Sequence, residues 1–148
     1  MKRFYFQLEP VLNYKHQALD LLMSELSEAQ MVAAAQERVR DAAVATLAAY
    51  DAEFAEKRAA GFTNLEAVEY EAGQQVLEQR LQREEKLLAQ RRRELEAKRQ
   101  QVVEARQETH TIEWLKEIRR GEYDTAVAKA EEKALDDLTA ARRAVAAG

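Results

Sequence analysis

Ala59-Ala60-Gly61-Phe62-Thr63-Asn64 is the stretch that decides the fold. Between Pro10 and this point no glycine or proline interrupts the chain. Gly61 can take the left-handed backbone angles that end a helix. Thr63, followed three residues later by Glu66, is the capping-box pattern that opens one. A heptad series runs on each side of the break. Upstream, Leu12, Leu19, Leu26, Ala33, Arg40, Leu47 and Phe54 recur every seven residues, and Leu22, Ala29, Ala43 and Tyr50 fall three places after members of that series. Downstream, Leu81, Leu88, Leu95 and Val102 repeat at the same interval, with Leu77, Ala105 and Ile112 offset from them. Such paired series mark the seam of a coiled coil. Two long helices joined by a short loop lie antiparallel. The expected fold is therefore all-α: an antiparallel coiled-coil hairpin forming one domain over residues 1–148. Helix one is expected at about 10–58, the turn at about 59–64 and helix two at about 65–145.

With the turn centred near residues 62–63, facing positions have numbers that sum to about 125. This register sets Leu88 and Leu95 against Ala29, Ala33 and Gln36, so large residues meet small ones. Arg40 is expected beside Glu84 and Glu85, Leu12 against Ile112 and Leu115, and Leu47 against Leu77 and Leu81. Before Pro10, the alternation of Phe4, Phe6 and Leu8 suggests a short extended arm. Pro10 suits a first helical turn, where its missing N–H costs nothing. Gly73, inside helix two, is expected to weaken it by about 1 kcal/mol relative to Ala, and Gly121 to mark a kink or local weakness. Helix two outruns helix one. Beyond about residue 118 the stripe Tyr123, Val127, Ala130, Ala134, Leu138, Ala141 and Val145 is left uncovered within the chain. An uncovered apolar stripe implies a partner or self-association.

Composition narrows the function classes. Four Gly, one Pro and no Cys among 148 residues cannot punctuate a many-stranded fold, and leave no disulfide or thiol chemistry. No apolar run nears the ~20 residues of a membrane span, and the N-terminus is too polar for a signal peptide. A net charge of −4 gives no global pull toward nucleic acid or anionic lipid. There is no phosphate loop, no catalytic triad spacing and no cofactor motif, so no enzymatic activity, metal or cofactor is expected. His16 and His110 fall across the hairpin from each other and read as solvated or seam-edge residues, since no i, i+4 His pair or Glu-x-x-His motif accompanies them. Residues 80–106 hold nine Lys/Arg against five Asp/Glu, with Arg91-Arg92-Arg93 the densest part. No aromatic lies between Tyr70 and Trp114 to stack on bases. The run therefore reads as a solvated face with Glu–Arg pairs. Trp114 reads as a packing residue at the hairpin end, with a partner contact as the alternative.

The opening Phe4-x-Phe6-x-Leu8-Glu9-x-Val11-Leu12-x-x-Lys15 resembles that of the flagellar export protein FliJ family. Ile112-Glu113-x-Leu115-Lys116 resembles a later stretch of that family, and Glu131-Glu132-Lys133-Ala134-Leu135-Asp136-Asp137-Leu138 resembles its ending, with Glu132 where Gln is usual. The resemblance covers essentially the whole chain. It implies a non-enzymatic stalk that inserts in a hexameric export ATPase ring and links it to the export gate, a membrane protein, and to export chaperones. It also implies a cytoplasmic location, peripheral to the inner membrane at the flagellar export apparatus. The overhang, with Tyr123, Val127, Leu135, Leu138, Asp136 and Asp137, is the expected ATPase-binding element. The tip, with Leu65, Val68, Tyr70 and Leu77, is the expected gate contact. Stalk proteins of injectisome-type secretion systems are built alike, and a generic coiled-coil scaffold or tether and a nucleic-acid-binding hairpin are readings from other classes.

Overall fold

A computed structural model describes residues 2–148. Two helices, α1 (Glu9–Ala60) and α2 (Asn64–Ala147), pack against each other, and no strand occurs among the described residues. The structure is thus an all-α helical hairpin.

Local chemistry sets the helix ends. The Leu8 carbonyl accepts the Leu12 N–H at 2.8 Å, which makes Leu8 the residue flanking the helix start. Pro10 then lies in the first turn, where backbone N–H groups have no intrahelical acceptor. Lys57 and Arg58 sit in the last turn of α1, where cations complement the negative end of the helix dipole. Gly61 has φ of 88° and donates its N–H to the Arg58 carbonyl at 3.3 Å. Thr63 Oγ1 accepts the Glu66 N–H at 3.2 Å, the hydroxyl half of the expected capping box. Gly121 neither ends nor interrupts α2, and a side chain there would meet nothing within 4 Å.

By internal contacts the chain forms two compact units: the N-terminal residues to Asp20 with Glu104–Gly148, and Leu21–Val103. In the second unit the seam of α1 is half-buried or buried at Leu22, Leu26, Ala29, Ala33, Gln36, Arg40, Ala43, Leu47, Tyr50 and Phe54. Leu88 and Val102 are the deepest apolar residues that α2 contributes. Gln74 donates to Asp51 at 2.8 Å and Lys98 to Glu25 at 2.7 Å, pairs that fit the expected register. Four aromatic rings close the tip. Tyr70 lies 5.6 Å from Tyr50 and 5.3 Å from Phe54, and Phe62 lies 5.8 Å from Phe54. The Arg58 guanidinium caps Phe54 at 4.5 Å.

Two seam positions differ from expectation. Gln36, one turn before Arg40, takes Glu84 with both its carboxylate and its backbone carbonyl. Arg40 therefore turns to its own helix, bonding Asp41 at 2.8 Å and reaching Glu37 at 3.9 Å. Gly73 is not simply a weak point. A Cβ built on it would collide with the Tyr50 hydroxyl and lie 2.9 Å from the ring carbon that bears it. The glycine makes room for Tyr50, whose hydroxyl donates to the Tyr70 carbonyl at 2.9 Å.

In the first unit the arm has no regular secondary structure but is tied down. Phe6 is buried, as are Leu12 and Thr109. Phe4 sits 5.5 Å from the Tyr123 ring, with the Arg120 guanidinium 4.9 Å from the Phe4 ring. Tyr123 donates its hydroxyl to the Lys2 carbonyl. Lys116–Glu9 and Lys15–Glu108, each at 2.8 Å, join the two helices.

Candidate partner-binding surfaces

The expected ATPase-binding residues divide into two groups. Tyr123 and Val127 are half-buried, Tyr123 because the arm folds over it. The overhang is consequently bare only from residue 128 onward, where every residue is exposed. Leu135, Leu138 and Val145 are 64%, 51% and 81% exposed. At about 100° per residue, Ala130, Ala134, Leu138, Ala141 and Val145 share one stripe, with Leu135 beside it. Glu131, Glu132, Asp136 and Asp137 form no ion pair among the described residues. The structure therefore groups the leucines and aspartates on a free helical segment and separates Tyr123 from them.

The expected tip residues also divide. Leu65 and Val68 are 69% and 62% exposed. Tyr70 and Leu77 are half-buried and face α1. Burial first, and then the hydrogen bond its hydroxyl donates to Glu53 at 3.1 Å, holds the Tyr70 phenol above its ordinary value. On the outward face, Ala72 and Val76 continue from Leu65 and Val68, with Val76 61% exposed. Val76 was not among the expected contacts. Its spacing of eight from Val68 and eleven from Leu65 was the available signal.

The two histidines converge on one carboxylate. His16 Nε2 lies 2.6 Å from Glu113 Oε1, and His110 Nδ1 lies 3.4 Å from Glu113 Oε2. A carboxylate only accepts, so the His16 proton sits on Nε2. That hydrogen bond is the main cause holding Glu113 below the usual carboxylate range. No group of three or more acidic, His or Cys side chains among the described residues is arranged to hold a metal. Trp114, beside this cluster, is 61% exposed and does not pack into the hairpin. It follows the seam residue Ile112 by two positions, about 200° around the helix. In the basic run, Arg91 bonds Glu94 at 3.1 Å and Arg92 reaches Glu37 at 3.6 Å. The Arg91 bond, followed by that from Gln90, lowers the Glu94 pKa. Among the described residues no helix is long and apolar enough to cross a membrane.

A sequence profile of one protein family, described as Flagellar FliJ protein, matches residues 4–147. No curated protein and no solved structure matches the chain.

Proposed function

The chain belongs to the flagellar FliJ protein family, a non-catalytic component of flagellar protein export, and from that premise we propose that it is the stalk-like coiled coil of the export machinery. In this reading it enters the hexameric export ATPase ring, promotes the ring's assembly and activity, and links it to the export gate and the export chaperones. It works in the cytoplasm, peripheral to the inner membrane.

The observation that carries the reading is the segment after Val127. A helix with no intrachain cover is marginal in water, yet this one displays Leu135, Leu138 and Val145 to solvent. Its stripe is otherwise alanine, so a neighbouring backbone approaches closely. The unpaired Asp136 and Asp137 suit basic loops inside a ring and orient docking, an effect that salt weakens. At the other end, Leu65 and Val68 supply the surface for the gate, while Tyr70 and Leu77 hold that surface in place from beneath. Deleting residues 128–148 should leave the hairpin folded by circular dichroism and abolish stimulation of the ATPase. Full stimulation by the truncated chain would remove the overhang as the docking element.

A further inference from the structure

We propose that the outward face of α2 at the tip, formed by Leu65, Val68, Ala72 and Val76, binds a cationic amphipathic helix. The proposal rests on the tip being a docking end, as read above, and names the chemistry of its partner.

Three observations support it. First, at about 100° per residue these four side chains fall within about 80° of one another, on the side of α2 opposite the seam residues Tyr70, Gln74 and Leu77. Nothing within the hairpin covers Leu65, Val68 or Val76, each more than 60% exposed. Second, the charge along the stripe has one sign as far as Arg80, one turn beyond Val76. No Lys or Arg occurs from Ala59 to Gln79. By the same helical geometry, Glu69 borders the stripe on one side and Glu71 and Glu78 on the other. Third, these three carboxylates have no cation among the described residues. Elsewhere on the hairpin, Glu9, Glu25, Glu37, Glu94, Glu108 and Glu113 each find one, while Glu28, Glu56 and Glu85 do not. Glu66 is set aside, because its place in the first turn of α2 complements the helix dipole.

An apolar ridge between two acidic borders is complementary to a helix with an apolar stripe between two basic borders. The same carboxylates repel anionic lipid and nucleic acid. The ridge runs eleven residues from Leu65 to Val76, about 16 Å at 1.5 Å per residue, which three turns of a partner helix cover. Ridge-in-groove packing of two helices uses this i, i+3, i+4 spacing.

The test uses the full-length chain and two labelled 18-residue peptides with the same leucine stripe, one bordered by lysines and one by glutamates. Fluorescence anisotropy should show the lysine peptide binding at least tenfold more tightly, with the difference shrinking as salt rises. Leu65→Ser with Val76→Ser should weaken the lysine peptide about tenfold or more. Glu69→Lys with Glu71→Lys should erase the preference between peptides at unchanged helicity, and this pair decides alone if the serine pair lowers helicity. Equal binding of both peptides overturns the proposal, as does unaltered binding by the serine pair at native helicity. Loss of self-association in the serine pair, read by sedimentation, overturns it in favour of a second copy as the occupant. The soluble region of the export gate is titrated in parallel. Failure of the wild-type chain to bind it, with face-specific peptide binding intact, removes the gate reading and leaves the cationic helix standing.

Discussion

Gly73 and Tyr50 show how one residue's value depends on another far away in sequence. In isolation Gly73→Ala gains about 1 kcal/mol of helix propensity. Here the added methyl meets the Tyr50 hydroxyl and the carbon behind it. That hydroxyl is held by the Tyr70 carbonyl and its ring by Tyr70, so it cannot swing aside freely. Overpacking of this kind costs about 1–3 kcal/mol. Gly73→Ala should therefore lower the urea midpoint, and Tyr50→Phe in that background should recover part of the loss. A midpoint raised by Gly73→Ala would mean that Tyr50 moves at no cost. Glu113 is the second case. Its pKa is depressed in the folded state, chiefly by the His16 hydrogen bond. A depressed acid stabilises above its unfolded pKa, and the gain is lost as pH falls through the folded value. Glu113→Gln should accordingly lower the thermal midpoint at pH 7 and leave it unchanged well below the carboxylate range. An equal drop at both pH values would assign the loss to shape instead of charge.

Among the elements, the arm before α1 does more than its sequence discloses. Phe6 is 6% exposed, and Phe4 lies against Tyr123. Truncating Phe6 to Ala should cost about 3 kcal/mol, the low end for a buried aromatic because a terminal arm relaxes easily. The loss should be local. Hydrogen exchange should quicken around residues 115–123 of α2, while the tip stays protected; uniform quickening would make the arm part of one cooperative core. This element also marks where sequence reading stops. The two helices and the break at Gly61 were legible because heptad spacing, a glycine and a threonine cap are local signals. The arm's docking place was not, since alternation of Phe4, Phe6 and Leu8 states a period and no address. Tyr123 consequently looked bare when it is covered. Register alone sets Arg40 beside Glu84 and Glu85, and it cannot say that Gln36, one turn before Arg40 in α1, bonds the Glu84 carboxylate. Nearness to the turn likewise sets the four apolar tip residues in one group, although Tyr70 and Leu77 are half-buried while Leu65 and Val68 are exposed.

Only seven hydrophobic residues among those described are buried. Little apolar area is therefore removed from water, and stability toward the low end of the about 5–15 kcal/mol of native domains is expected for so small a core. A protein in that range gains a large fraction of its stability from any partner that binds only the folded state. At free partner a hundredfold above Kd the gain is about 2.7 kcal/mol. If the export ATPase is that partner, adding the hexamer should raise the thermal midpoint of the full chain. It should also slow amide exchange across residues 128–147, the segment that nothing in the chain covers. The chain lacking 128–148 should show neither response, while keeping the midpoint that the full chain has alone, because the removed residues bury nothing. Slowed exchange at the tip with the overhang still fast would place the ring at the opposite end of the hairpin from the one argued here.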